Sequence, residues 1–391
     1  MSGYSYLIRP LAPLVFGNGK PFDAQTEVSD IIFPLPSSAA GLVRTQYLQQ
    51  NKLPLMKATE HLTLRQEDYH HLQGMQQKGP FLVEILEGNK YNFFVAKPAD
   101  ALYLLNKASQ QIELIRLQPQ EISVDLGSDL PNGLLPVMMD KPIKGKPQAG
   151  ALFWHIDDIF AWQHGENLTY EEVNKRGVKS LPIDARTHVA IDDATLSSEE
   201  GRLFQSIAYD LGAARKDNRL GWEERSYGFL LLSDQELHNG LVKFGGEGRL
   251  SEMIQVEAHA SLTLNKVTLS GIQKNNGIKL TLLTPAIFEN GYLPAWLDEQ
   301  TLTGTLPYTN IKVTLKACAM ERWIPVSGWD MQQHKPKAMR KAVAAGAVYW
   351  FEILAGDITE LTNLMMQTIS DHSQDRKDGF GVVTIAPWAK L

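Results

Sequence analysis

The chain has 391 residues, with 38 lysines and arginines against 44 aspartates and glutamates, so its formal net charge at pH 7 is −6. A single cysteine, Cys318, excludes an intrachain disulfide and a multi-cysteine zinc site, and the acidic balance argues against a free-standing nucleic-acid binder. No apolar run approaches the ~20 residues of a membrane helix, and the N-terminus does not resemble a signal peptide. We therefore expect a cytoplasmic globular protein that makes no membrane contact.

Short β-type runs separated by glycine- and proline-rich turns dominate the chain. A helix is predicted from Ser37, where Pro36 precedes a serine that can accept from the first free amides. A second helix is predicted over 357–368 from its apolar face. Alternating or β-rich stretches predict strands at 4–9, 90–96, 202–209, 226–233, 261–269, 277–284, 311–319 and 346–354. This pattern indicates an α+β fold.

Residues 118–185 differ from their surroundings, because they are rich in proline, glycine and tryptophan and show little sustained period. This composition is typical of a large insertion or an interaction surface. A boundary is expected near residue 255, after a glycine cluster and before a new set of strands. The sequence therefore predicts two α+β domains, 1–255 with the insertion and 256–391.

The first helix follows a turn-rich loop and begins within Phe33-Pro-Leu-Pro-Ser-Ser-Ala-Ala-Gly. Free amides and the positive dipole end of a helix start bind anions. Ser37 and Ser38 would lie at that end, with Arg44 less than two turns further on. The functional interpretation is a phosphate or RNA-backbone contact. The structural alternative is a capped helix with Gly41 packed closely against the sheet.

A second candidate lies in Asp184-Ala-Arg-Thr-His-Val. Arg186 and His188 are two positions apart, so on a strand they share one face. Such a pair can bind phosphate, or the histidine can act as general acid or base in RNA cleavage. A solvated strand edge is the alternative.

Two further segments suit a polyanion. Phe244-Gly-Gly-Glu-Gly-Arg places Arg249 after a turn that can bring amides close to a phosphate, although it matches neither a Walker loop nor a dinucleotide loop. Residues 335–341 hold four cations in seven positions, near Trp329, which suits single-stranded nucleic acid. The alternatives are a tight turn and a solvated basic loop.

Catalytic and metal signatures are sparse. The ten histidines are scattered, and the spacing of His155 and His164 is unusual for a metal pair. No hydrolase or zinc-protease motif is present. The sequence therefore predicts no metal, no cofactor and no enzymatic activity.

Together, these segments resemble a known family. The helix start, Arg186-Thr-His-Val, the glycine loop, Val326-Ser-Gly-Trp-Asp and the run from Pro336 to Tyr349 occur in this order. Across about residues 7–385, the order resembles the third subunit of the Cmr (type III-B) CRISPR effector complex, in the RAMP superfamily. The resemblance implies two ferredoxin-like (RRM-like) domains with antiparallel sheets, the first enlarged by an insertion.

The resemblance also implies a non-catalytic role in antiviral defence. Family members hold the 5′ tag of the CRISPR RNA and join the large polymerase-like subunit to the backbone of RAMP subunits. The implied partners are CRISPR RNA, these two kinds of subunit and the other Cmr subunits. Carried over by motif, the RNA-binding residues are Ser37, Ser38, Arg44, Thr45, Arg186, His188, Gly246, Gly248, Arg249, Lys337, Arg340 and Lys341.

The chain departs from the family pattern before the first helix. The family often has an arginine and an aspartate ahead of its first Gly-x-Pro-Phe, whereas this chain reads Gly17-Asn-Gly-Lys20. Lys20 is then a partial substitute for those side chains. The Gly-Gly-Asp-Asp and His-Asp motifs of the polymerase-like subunit are lacking, so we expect neither cyclic-nucleotide synthesis nor DNA cleavage.

Two other functions remain as alternatives. One is a metal-independent RAMP-type endoribonuclease that processes CRISPR RNA, with His188 as general acid or base. The other is a soluble α+β interaction module without an RNA role. Co-purification with RNA and with other RAMP subunits would separate this module from the two RNA-linked functions.

Overall fold

The structure is a computed structural model that describes residues 3–17, 31–58, 61–122, 127–192, 194–211, 225–259, 266–330 and 333–389. Asn18, Gly19 and Lys20, and with them the predicted departure from the family pattern, lie outside these ranges. Within these ranges, no helix combines the length and the apolar character needed to cross a membrane.

Strands outnumber helices, and the strand pairs are antiparallel. The strands are β1 (Tyr4–Pro10), β2 (Leu55–Ala58), β3 (His61–Leu64), β4 (Gln77–Ile85), β5 (Tyr91–Ala96), β6 (Ala101–Asn106), β7 (Ile112–Pro119), β8 (Val137–Met139), β9 (Gly145–Pro147), β10 (Phe153–His155), β11 (Ile183–Ile191), β12 (Ser198–Tyr209), β13 (Tyr227–Ser233), β14 (Gly240–Lys243), β15 (Leu250–Val256), β16 (Gly277–Leu282), β17 (Thr303–Thr305), β18 (Lys312–Ala319), β19 (Ile324–Val326), β20 (Trp329–Asp330), β21 (Lys335–Pro336), β22 (Arg340–Ala342), β23 (Val348–Ala355) and β24 (Val383–Pro387). The helices are α1 (Pro36–Gln50), α2 (Gln66–Gly74), α3 (Ile156–Gln163), α4 (Tyr170–Arg176), α5 (Lys266–Asn275) and α6 (Ser373–Lys377), with 3-10 turns at Glu87–Asn89 and Ile358–Asn363. The predicted α+β class is confirmed.

The chain forms two compact units, each assembled from three segments. The first unit contains Met1–Asn92, Leu181–Val256 and Pro325–Arg340; the second contains Phe93–Ser180, Glu257–Ile324 and Lys341–Leu391. The chain leaves the first unit at Val256, close to the predicted boundary. The predicted division into two consecutive ferredoxin-like domains stays a prediction.

The first unit is built around β1. Its sheet contains the strand order β4-β13-β1-β15-β14, and Tyr6, Leu7 and Ile8 of β1 are completely buried. A central strand covered on both faces needs such a continuous apolar run. Helix α1 packs against β4 and β14 and buries Ala40 and Val43, which lie three positions apart on one face of the helix.

The second unit contains two sheets with the orders β17-β18-β23-β16-β24 and β8-β7-β6-β9. Residues 118–180, most of the predicted insertion, belong to this unit. Trp154 and Trp162 are fully buried and stack edge to face with ring centroids 5.5 Å apart. These two tryptophans are therefore core residues and do not form an interaction surface.

Two predicted elements differ from the structure. The predicted strand over 261–269 is wrong for its last four residues, which begin α5, while 260–265 lie outside the described ranges. Thr268 and Ile272, which lie four residues apart, are both buried, as expected for one face of a helix. In a short apolar run, this spacing also fits the alternation of a strand, so the sequence does not distinguish the two. The predicted helix over 357–368 is a 3-10 turn at Ile358–Asn363. It is cut short because the Met366 amide donates to the Val383 carbonyl, 2.9 Å away.

A buried ion pair links two segments of the second unit. Lys279 Nζ lies 3.4 Å from Asp100 Oδ2, and the two side chains are 7% and 2% exposed. The Trp162 indole donates to the other carboxylate oxygen of Asp100 over 2.8 Å. Burial lowers the pKa of Lys279, while the nearby Asp100 carboxylate opposes this shift. Asp100 therefore satisfies two buried donors at once.

We expect Asp100→Ala to lower the free energy of unfolding by about 3–5 kcal/mol, because it leaves the Lys279 ammonium buried without its partner. Urea denaturation measures this loss. The control is Glu252→Gln, which breaks the half-exposed Arg9–Glu252 pair of 3.1 Å and should cost at most about 1 kcal/mol. Equal losses in the two variants would contradict the importance of the buried pair.

Candidate nucleic-acid interface

Two of the predicted segments of the first unit, the β11–β12 hairpin and the glycine loop, meet at residues 14–16, here called the junction segment. Leu14 exchanges two backbone hydrogen bonds of 2.8 Å with Tyr209, the last residue of β12. The Val15 carbonyl accepts from the Gly246 amide, also over 2.8 Å. The junction segment thus holds both the base of the β11–β12 hairpin and the glycine loop.

An aromatic cluster connects this junction with the start of α1. The Phe16 ring packs edge to face on Phe244, with centroids 5.1 Å apart, and on Phe229 at 6.3 Å. Phe33, three residues before α1, packs on the same Phe229 ring at 5.7 Å. Such edge-to-face pairs add to the free energy gained by burial. Sequence elements that lie far apart in the chain are therefore fixed around one cluster.

The glycine loop between β14 and β15 is a tight turn that fits against the junction segment. Gly245 has a φ of +86°, and a Cβ at this position would lie 2.8 Å from the Val15 carbonyl oxygen. Gly248 has a φ of +64° but open space around it. Because the Gly246 amide already donates to Val15, it is used within the protein. Its contact with a phosphate stays a prediction.

Arg249 closes this loop. Its guanidinium donates to the Glu247 carboxylate over 2.7 Å, and the Arg249 side chain is 35% exposed. Its Nε is buried and has no hydrogen-bond acceptor among the described residues. Arg249 thus reaches the surface at the predicted place, and the exposed carboxylate of Glu247 partly neutralises its charge.

The β11–β12 hairpin presents Arg186 and His188 on one exposed face, as predicted. Arg186 lies opposite Ser206, and its Nη2 is 2.7 Å from Asp184 Oδ2. The hydrogen bond that the Arg186 guanidinium donates to the Asp184 carboxylate raises the pKa of Arg186, which stays charged. His188 Nε2 lies 2.7 Å from the hydroxyl of Ser206. The face therefore offers a cation and an imidazole to solvent.

The start of α1 differs from the prediction. The helix begins at Pro36, and its N-cap residue is Leu35, which supplies no side-chain hydrogen bond. Proline suits the first helical position because it has no amide hydrogen to satisfy. The predicted capping role of Ser37 is therefore wrong, since Ser37 and Ser38 lie half-buried inside the first turn.

Further along α1, Arg44 is only half-buried but is anchored, because its Nε donates to the Leu72 carbonyl over 3.0 Å. Thr45 is exposed on the following position. The alternative in which Gly41 packs closely against the sheet is wrong, because Gly41 is exposed and a Cβ there would meet open space.

The remaining cations lie on or beside residues 327–330 and 333–340, here called the basic hairpin, most of whose side chains are exposed. In it, Trp329 pairs with Pro336 and Asp330 with Lys335, and the Lys337 amide donates to the Gly328 carbonyl over 2.8 Å. The side chains of Lys337, Arg340 and Lys341 are exposed. The first unit includes Lys337 and Arg340, together with the nine predicted residues described above, whereas Lys341 belongs to the second.

Sequence reasoning missed three residues that shape this interface: Gly245, Asp184 and Glu247. The two acidic residues could have been found from their spacing, because each lies two positions before an arginine. On a strand or in an extended turn, this spacing brings the two side chains to the same face. Within the described ranges, no group of three or more His, Cys, Asp or Glu residues is arranged to hold a metal ion.

Comparison with known proteins identifies the family. The family described as CRISPR-associated protein (Cas_Cmr3) matches residues 6–388, almost the whole chain. The chain belongs to the Cas_Cmr3 family. A search of curated proteins finds no match.

The solved structures that are similar to this chain include two from type III CRISPR complexes. A chain in a type III-B Cmr-beta complex bound to cognate target RNA shares 14% sequence identity, with a TM-score of 0.46 and coverage of 88% of this chain and 86% of that one. A chain in a Csm3–Csm4 subcomplex of the type III-A interference complex shares 12%, with a TM-score of 0.36 and coverage of 99% and 100%. At these values, the comparison transfers no residue roles to the Cas_Cmr3 chain.

We predict that three glycine-to-alanine substitutions in the glycine loop of this Cas_Cmr3 protein lower stability to different extents. We expect Gly245→Ala to lower the free energy of unfolding by about 2 kcal/mol or more, because its Cβ meets the Val15 carbonyl in a left-handed conformation. Gly248→Ala should cost about 1 kcal/mol from the backbone conformation alone. Gly246→Ala, whose Cβ would lie 3.6 Å from Val15, should change stability by less than about 0.5 kcal/mol. Urea denaturation of the three variants tests this order, and a reversed order would contradict it.

Proposed function

We propose that this protein is the third subunit of a type III-B Cmr CRISPR effector complex and a member of the RAMP superfamily. In this role it is non-catalytic, cytoplasmic and part of a ribonucleoprotein in antiviral defence. It holds the 5′ tag of the CRISPR RNA and joins the large polymerase-like subunit to the backbone of RAMP subunits. It consists of two ferredoxin-like domains, residues 1–255 with the insertion and residues 256–391.

The observation that carries this proposal is that three of the four predicted RNA-contact segments are held together in the first unit. The β11–β12 hairpin and the glycine loop are both held by the junction segment, and the aromatic cluster ties the start of α1 to the same place. The cations that these segments present lie at the surface or half-buried. Family membership supports the CRISPR assignment independently of this geometry.

Charge chemistry indicates how RNA is held. Arg186 and Arg249 each pair with a nearby carboxylate, and such surface ion pairs are weak and screened by salt. A phosphate that offers two oxygens to the guanidinium fork can therefore replace the carboxylate. With a net charge of −6, the free protein should bind RNA weakly, and its hold on the tag should depend on its partners.

Replacing Lys337, Arg340 and Lys341 together by alanine should weaken protection of the 5′ tag in the assembled complex. Each lost phosphate contact reduces the slope of log affinity against log salt by about 0.7 for a single strand, so the triple variant should lose roughly 2 from this slope. Nuclease protection and binding across a salt series measure the two effects.

The matched control for this experiment replaces Lys141, Lys144 and Lys146 by alanine. These three exposed lysines of the second unit occupy six consecutive positions, so the control removes the same charge from another place. Unchanged tag protection in the first variant, or equal losses in both, would count against the assigned site.

The endoribonuclease alternative is tested at His188. The contact with Ser206 leaves His188 exposed on the hairpin face, and the proposed scaffold needs no proton transfer there. We expect the purified protein to leave a CRISPR repeat RNA intact in the presence of a chelator, and the His188→Ala protein to behave identically. Site-specific cleavage that His188→Ala abolishes would establish the alternative instead.

A further inference from the structure

The two faces of the basic hairpin differ in chemistry. Antiparallel partners share a face, so Trp329 and Pro336 lie together on one side. Lys335 and Lys337, which alternate with Pro336, project to the other side together with Asp330. The hairpin is thus a narrow ribbon with an aromatic face and a basic face.

The aromatic face is open. Trp329 is 55% exposed, and no ring or cation contact to it is found among the described residues. Pro336 and Ala338 beside it are also exposed. Burial of a large indole gains free energy, so a planar ligand that stacks on this exposed face would be stabilised.

A second exposed tryptophan provides a contrast. Trp323 is 51% exposed, but Lys341 Nζ lies 5.1 Å from the centroid of its ring. Its exposed face therefore already carries a cation–π contact. Trp329 is the better candidate for a new planar ligand.

We propose that Trp329 is a stacking platform for one unpaired base of the bound RNA, an inference that rests on the proposed RNA-binding function. The base lies flat on the indole, and the sugar–phosphate chain crosses the edge of the ribbon. Its phosphates then meet Lys335 and Lys337 on the basic face. Stacking on an aromatic ring combined with backbone charge contacts is the general means of holding single-stranded nucleic acid.

The local charge favours RNA over a protein partner. Residues 327–341 contain four lysines and arginines against one aspartate, within a chain whose net charge is −6. A protein that docks on Trp329 would have to be acidic around an apolar centre. A polynucleotide supplies the flat apolar base and the negative charge in every unit.

Base and phosphate contacts can be separated in the assembled complex. The RNA carries the 5′ tag either intact or with a single abasic nucleotide placed at each position in turn. The proteins are the wild type, Trp329→Ala, Trp329→Phe, Lys335→Ala, Lys337→Ala and Tyr308→Ala. Tyr308 is the matched control, because it is an aromatic residue of the second unit with 47% exposure.

We expect one abasic position to weaken binding to the wild-type complex by about 10- to 100-fold. Trp329→Ala should show the same loss with intact RNA and should no longer respond to that abasic position. Trp329→Phe should keep most of the affinity, and Tyr308→Ala all of it. The slope of log affinity against log salt should keep its wild-type value in Trp329→Ala. It should become less steep in Lys335→Ala and Lys337→Ala.

The outcomes distinguish this inference from the proposed function. If the wild-type complex does not bind RNA, the proposed function fails and the stacking site with it. If it binds, but Trp329→Ala responds to every abasic position as the wild type does, only the stacking site is overturned. Loss of a neighbouring subunit from the Trp329→Ala complex, with RNA affinity retained, would assign the aromatic face to a protein contact.

Discussion

The hydrogen bond from the Gly246 amide to the Val15 carbonyl is the contact on which the arrangement of the first unit depends. It requires a glycine loop pressed against the junction segment, because a Cβ at Gly245 would lie 2.8 Å from the same carbonyl oxygen. The neighbouring residue Leu14 pairs with the end of β12, and Phe16 packs into the aromatic cluster. One short stretch of backbone thus sets the positions of a loop, a hairpin base and the approach to a helix.

This constraint also decides which groups remain for a ligand. A glycine-rich loop suggests backbone amides that cradle a phosphate, but here the Gly246 amide is used by Val15. Likewise, the Ser38 amide donates to the Leu35 carbonyl over 2.9 Å. Under the proposed function, the RNA backbone would therefore be recognised by the side chains that project from these fixed loops. Side-chain contacts reach further and tolerate small shifts, which suits the irregular backbone of a single strand.

Features set by local pattern could be predicted from the sequence, and features set by long-range packing could not. The alternation around β1 and β13 and the spacing of Arg186 and His188 depend on a strand period of two, so strands and shared face were correct. In contrast, α5 follows from the burial of Thr268 and Ile272, which a short apolar run does not reveal. The junction of Leu14 with Tyr209 joins distant segments, and no local pattern encodes it.

This geometry shows where part of the acidic net charge lies. Arg186 and Arg249 each have a carboxylate two residues earlier on the same face, so part of the acidic excess lies beside the cations. These carboxylates hold the guanidinium groups in place and lower their attraction for polyanions in general. In the proposed RNA-bound state, phosphate would displace a weak intramolecular ion pair, so the affinity for any RNA would be reduced and discrimination would depend on contacts that carboxylates cannot imitate. A flat base against an open indole is such a contact, because it depends on shape and not on charge.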